Sequence, residues 1–116
     1  PKAYRRAHLN ERGVARAVDL AAIPSGRRAL AAGCVIVRQR PGTAKGFVFL
    51  SLEDETGIAN IIVEPATFDQ YRAAITSAPF VLVEGVVQKQ DGVVSIKARD
   101  VQALEAGVAA LSHDFH

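Results

Sequence analysis

From Arg28 onward, apolar and polar positions alternate with the two-residue period of β-strands. A first run, Leu30 to Arg40, is β-branched in its middle and stops at Arg40-Pro41-Gly42. Pro and Gly there predict a loop that continues through Thr43-Ala44-Lys45-Gly46. A second strand is predicted at Phe47 to Leu52 and a third at Ile58 to Glu64, joined by the turn Glu53-Asp54-Glu55-Thr56-Gly57. The period then changes. Pro65 to Ile75 carries Phe68, Tyr71 or Arg72, and Ile75 at helical spacing, with the proline near the start, where a helix tolerates it. A fourth strand, Phe80 to Gln88, and a fifth, Val93 to about Val101, flank the tight turn Lys89-Gln90-Asp91-Gly92.

Three strands, one helix and two strands form the order of an OB-fold, a five-stranded Greek-key barrel. The predicted class is all-β with one helix, which lies between strands three and four. A five-stranded SH3-like barrel is the competing architecture, but it normally lacks a helix of this length at this place. Residues 1–26 are polar, basic and weakly helical and end in the turn Ile23-Pro24-Ser25-Gly26. They read as a linker or an N-terminal extension packed against the barrel. Residues 27–104 hold the barrel, and residues 105–116 form an Ala-rich C-terminal tail with short-helix character. A start without methionine points to a fragment of a longer protein or a processed chain.

Alternation also sorts the side chains by face. An aliphatic interior takes Val48, Leu50 and Leu52, then Ala59, Ile61 and Val63, then Val94, Ile96 and Ala98. The outward set is Phe47, Phe49 and Ser51, then Asn60, Ile62 and Glu64, then Ser95, Lys97 and Arg99. One surface thus gathers Phe47, Phe49, Asn60, Lys97 and Arg99. Aromatic rings beside basic groups suit single-stranded nucleic acid, because bases stack on rings and cations track phosphates. The alternative is that the N-terminal segment or a neighbouring domain covers the two phenylalanines.

Net charge is only +2, too small to argue for nucleic acid by itself, but its distribution is uneven. Between Arg27 and Leu52 stand Arg27, Arg28, Arg38, Arg40 and Lys45 and no acid. Such a segment makes a local positive field, the form of a phosphate-binding surface. Arg38, Arg40 and Lys45, at the loop between strands one and two, are therefore expected to contact phosphates. The lone Cys34 sits in an apolar run and excludes an intrachain disulfide, which fits a reducing, cytoplasmic setting. No stretch approaches the ~18 apolar residues of a membrane span, and the start lacks the apolar region of a signal peptide. Glu53-Asp54-Glu55 reads as solvated turn chemistry rather than a catalytic cluster, and His113 with His116 at a frayed terminus makes a poor metal site. No phosphate-cradling glycine motif, zinc spacing or nucleophile–base pair occurs, so neither cofactor nor metal is expected.

The string Arg38-Gln39-Arg40-Pro41-Gly42-Thr43-Ala44-Lys45-Gly46, with Phe47-Val48-Phe49-Leu50-Ser51-Leu52-Glu53-Asp54-Glu55-Thr56-Gly57-Ile58-Ala59-Asn60, carries a specific resemblance. It is similar to the OB domain near the C-terminus of error-prone DNA polymerases related to the bacterial polymerase III alpha subunit. Val83-Glu84-Gly85, Gln88 to Val94 and the ending Ser112-His113-Asp114-Phe115-His116 continue the match. The Phe49 to Ile58 hairpin also resembles that of the anticodon-binding OB domains of class II aminoacyl-tRNA synthetases. That likeness implies that Phe49 stacks on a base, that Asn60 reads base edges, and that a loop base equivalent to Arg40 assists. Asn60 is shorter than the Gln often found at its position.

The polymerase resemblance implies a parent enzyme of damage-induced translesion synthesis, whose metal-binding carboxylates lie outside this chain. The expected partners are single-stranded DNA, the remainder of the polymerase chain and accessory mutagenesis proteins, with no membrane. The competing function is a protein-interaction module that docks the polymerase to those accessory factors. A tRNA-binding synthetase domain is the third reading, disfavoured by the Arg-Pro-Gly-Thr-Ala-Lys-Gly loop.

Overall fold

The computed structural model describes residues 13–104. The expectations for residues 1–12, for the tail from 105 and for His113 and His116 lie outside the described residues. Among the described residues there are six strands: β1 (Val14–Ala15), β2 (Arg28–Gln39), β3 (Val48–Glu53), β4 (Ile58–Val63), β5 (Phe80–Gln90) and β6 (Val93–Ala103). Their order is β1-β2-β3-β4-β6-β5, and β2 also pairs with β5. That last pairing closes β2 to β6 into a five-stranded Greek-key barrel, with the two-residue β1 added in parallel along β2. The predicted OB-fold is the observed one. The helical segment between β4 and β5 is two short pieces, α1 (Pro65–Gln70) and α2 (Arg72–Ser77), rather than one helix. Tyr71 separates them by leaving helical dihedrals (φ −116°, ψ 28°). Phe68 and Ile75, seven positions apart and so on one helical face, are both buried.

The interior follows the alternation. Val48, Leu50 and Leu52 of β3, Ala59, Ile61 and Val63 of β4, and Ile96 and Ala98 of β6 are all in the core. Val94 is only partly buried against it. Ser95 departs from expectation: it holds the outward phase yet is 8% exposed. Its register partners Asn60 and Gln88 flank it on either side. Hydrophobic burial of this kind is worth roughly 25 cal/mol per Å² and is the main term holding the barrel closed.

Closing a sheet this small requires sharp bends, and two glycines sit where strands meet most closely. A Cβ on Gly33 would lie 2.6 Å from the Glu53 carbonyl oxygen, where β2 passes from its pairing with β5 to its pairing with β3. A Cβ on Gly85 would lie 2.1 Å from the Lys97 carbonyl oxygen, beside the bulge between Glu84 and Gly85. Asp91 (φ 54°) and Gly92 (φ 80°) form the two-residue β5–β6 turn with both residues left-handed, the conformation Asp-Gly favours.

Asp54 is more than a solvated turn residue. One carboxylate oxygen accepts from the amides of Thr56 (2.7 Å) and Gly57 (3.1 Å) and from the Thr56 hydroxyl (2.7 Å). The other accepts from the Ala17 amide at 2.7 Å. The β3–β4 turn is thereby tied to the 3-10 turn Ala17–Ala22, whose Leu20 enters the core.

Candidate nucleic-acid interface

The outer face of β3, β4 and β6 is organised by register. One row runs Gln39, Phe49, Ile62 and Lys97, and the next runs Val37, Ser51, Asn60 and Ser95. Phe49 is half-buried, so part of its ring faces solvent in the middle of the sheet, with the half-buried Ile62 beside it. Asn60 is exposed; its amide nitrogen lies 3.5 Å from the Val94 carbonyl. Lys97 does not stand free in its row, because its ammonium pairs with Glu64 at 3.2 Å. Arg99 is exposed one position beyond Ala98, where β6 meets the Gly85 bulge. Beside these rows a shallow cleft of about 260 Å³ is lined by Ile62, Gln88, Val93 and Ser95.

The loop cations lie elsewhere. A bulge between Val35 and Val37 shifts the phase of β2, so Arg38 pairs with the core residue Leu50 and Gln39 with Phe49. Arg38 therefore turns toward α2 rather than onto the Phe49 face. Its Nε donates to the Ile75 carbonyl (2.8 Å) and its Nη2 to the Ala78 carbonyl (2.6 Å). Ile75 lies in the last turn of α2 and Ala78 is its C-cap, so these carbonyls mark the helix C-terminus, where a guanidinium is stabilising. Arg40 lies with its guanidinium carbon 4.7 Å from the centroid of the Phe68 ring, and Arg72 lies 4.8 Å from the same centroid. Arg72 was not among the sequence candidates; its four-residue spacing from Phe68 on a helix is the signal that identifies it. Lys45 is exposed and left-handed (φ 55°) in the loop that leads to Phe47, which is half-buried just before β3. The structure thus brings Phe49, Asn60 and Lys97 onto one face and collects Arg38 and Arg40 with Arg72 at the helix end.

One further group, the Tyr71 hydroxyl, stands apart from both regions. Burial pushes the Tyr71 hydroxyl above its ordinary pKa, and the charges of Asp100 and Glu84 add to the rise. Tyr71 is therefore neutral throughout the physiological range. Among the described residues, no three His, Cys, Asp or Glu side chains are grouped so as to hold a metal ion.

A closed barrel of topology 1-2-3-5-4-1, with an aromatic on the sheet face formed by its second, third and fifth strands, defines the chain as an OB-fold domain. Residues 32–104 match the family described as OB-fold nucleic acid binding domain, and the chain belongs to that family. It is 47% identical over 98 residues to Error-prone DNA polymerase 1 of Rhizobium meliloti (strain 1021), a match covering 84% of this chain and 9% of the polymerase. It is 40% identical over 115 residues to the Error-prone DNA polymerase of Mycolicibacterium paratuberculosis, a match covering 99% of this chain and 10% of that one. The chain therefore spans about a tenth of the length of these relatives. Asparaginyl-tRNA synthetase from Pyrococcus horikoshii shares the fold, with a TM-score of 0.57 and 24% identity over 70% of this chain and 20% of the synthetase.

Proposed function

We propose that this chain is the single-stranded-DNA-holding OB module of an error-prone DNA polymerase that acts in translesion synthesis. Nucleotidyl transfer then belongs to other parts of the polymerase, and this domain binds the strand and positions it. The observation that carries the reading is the row Gln39, Phe49, Ile62 and Lys97, with Asn60 in the next row. A partly exposed ring in the centre of an open sheet face offers a base a stacking platform, worth ~1–3 kcal/mol per base. Asn60 supplies an amide beside it for a base edge, while Arg99 adds a cation at the margin. The family to which the chain belongs and its similarity to proteins named error-prone DNA polymerase support the same assignment.

Exposed Ile58 and Val93, each 53% accessible, favour a second reading in which accessory mutagenesis proteins dock on this face. The two readings separate in a titration of a fluorescein-labelled oligo-dT, followed by anisotropy at two salt concentrations. Salt-sensitive binding that Phe49→Ala weakens is the expected result. Absence of binding at low salt with the chain fully folded would overturn the DNA reading and leave the docking one.

A further inference from the structure

We propose that the cleft at the helix end of the barrel is a second nucleotide-binding site, in which Arg40 and Arg72 hold a phosphodiester of the strand that crosses Phe49. The inference rests on the reading of the Phe49 face as a single-strand surface. The cleft measures about 330 Å³ and is lined by all three arginines together with Val48, Phe68 and Ile75. It has a cationic rim over an apolar floor, which fits a flat base with an attached phosphate.

The three arginines are not equivalent. Arg38 is tied to the end of α2 through the Ile75 and Ala78 carbonyls. Arg40 and Arg72 instead lie over the ring of Phe68. A guanidinium stacked on a ring engages it through its π face, while its N–H donors lie in the plane and point sideways. Stacking therefore fixes the fork without occupying it. Arg72 gives one donor to Asp69 at 2.9 Å. Arg40 has no hydrogen-bond or ion-pair partner among the described residues. Phe68 is itself 4% exposed, so the ring that the two cations stack on is fixed before any ligand arrives. That lowers the side-chain entropy lost on binding, and a planar fork suits a phosphate held bidentately.

Continuity favours a nucleic acid here over an acidic peptide. Gln39 lines the cleft and is also the register partner of Phe49. Arg40 follows it directly, so the Cα atoms of Phe49 and Arg40 lie within about 9 Å. A few nucleotides at the ~3.4 Å spacing of a stacked strand cover that distance.

The test uses the 116-residue chain with fluorescein-labelled dT4 and dT12, titrated between 50 and 200 mM NaCl. Arg40→Gln combined with Arg72→Gln should weaken dT12 binding about tenfold and reduce its log–log salt slope by about 0.7 per phosphate released. Binding of dT4, which only just spans the ~9 Å between Phe49 and Arg40, should weaken less than binding of dT12. Because these arginines cover Phe68, the pair Arg40→Lys and Arg72→Lys is measured beside it. That variant keeps the cations and should keep the salt slope while losing dT12 affinity with the planar forks. Unchanged dT12 affinity and slope in both double variants, with Phe49→Ala weakening both oligonucleotides, would overturn the cleft and spare the sheet face. Loss with the arginine variants but none with Phe49→Ala would do the reverse. Arginine-dependent capture of a fluorescein-labelled hexaglutamate, with no binding of dT12, would overturn the proposal in favour of an acidic protein partner.

Discussion

The sheet face and the helix end of this barrel both set aromatic rings beside basic side chains, in opposite order. On the sheet face the ring is partly exposed and the cation in its row, Lys97, is paired with Glu64. At the helix end the ring is buried and two cations lie on top of it. The exposed part of a ring loses unfavourable hydration only when something stacks on it, and on the proposed reading that partner of Phe49 is a base. A ring already covered by guanidinium groups has its partner within the chain, and what remains for a ligand is the cations' outward donors. Sequence neighbours can thus serve different surfaces: Gln39 belongs to the row of Phe49, and Arg38 and Arg40 on either side of it belong to the helix end.

The largest effect that separates the two regions is expected at Phe68. Phe68→Ala should destabilise the chain by about 3–5 kcal/mol, the range for truncating a buried aromatic, as measured by urea or thermal unfolding. A loss below about 1 kcal/mol would mean that the arginines shield a dispensable ring, and the contrast with Phe49 would vanish. Next is Arg38→Ala. It removes two charge-assisted hydrogen bonds from the end of α2 and should cost about 1.5–3 kcal/mol, with the salt slope for DNA unchanged. A flattened slope with intact stability would place Arg38 among the phosphate contacts, beside Arg40.

These regions were not equally legible. The core of β3 and β4 follows directly from Val48-Phe49-Leu50-Ser51-Leu52 and Ala59-Asn60-Ile61-Ile62-Val63, because a period of two has one buried phase. Asp91-Gly92 likewise announces its hairpin, since few residue pairs accept two left-handed conformations. The bulge at Ile36 is silent: Val35, Ile36 and Val37 are all β-branched, and a phase slip inside a uniform run leaves no mark on the pattern. That slip alone redirects Arg38 and Arg40. The pairing of Arg40 with Phe68 is tertiary, made between residues 28 positions apart, and no local signal reports it. Ser95 has the right phase for exposure, and only its flanking neighbours bury it.

Phe49→Ala tests the other side of the comparison. It should weaken single-stranded DNA binding by ~1–3 kcal/mol, with a stability loss well below that of Phe68→Ala. Near-equal stability losses at the two positions, with no separable binding defect, would make Phe49 a core residue.

The smallest expected effect is the most discriminating, because it runs toward tighter binding. Glu64 sits just beyond β4, and its carboxylate holds Lys97 at 3.2 Å on the proposed DNA face. Both side chains are substantially exposed, so the pair should contribute only about 0–1 kcal/mol to stability. For a phosphate backbone the carboxylate acts twice: it neutralises the cation in the Phe49 row and repels the ligand directly. Glu64→Gln keeps the shape of the side chain and removes both effects. Anisotropy should therefore show stronger oligo-dT binding, by less than about 1 kcal/mol, and a log–log salt slope steeper by up to about 0.7 as Lys97 takes up a phosphate. Binding to the helix-end arginines has no reason to respond, so the steeper salt slope should be lost in combination with Lys97→Ala, which leaves only the relief of direct repulsion. Weaker binding in Glu64→Gln, or a steeper salt slope that survives Lys97→Ala, would mean that the strand does not pass along the row of Phe49, Ile62 and Lys97.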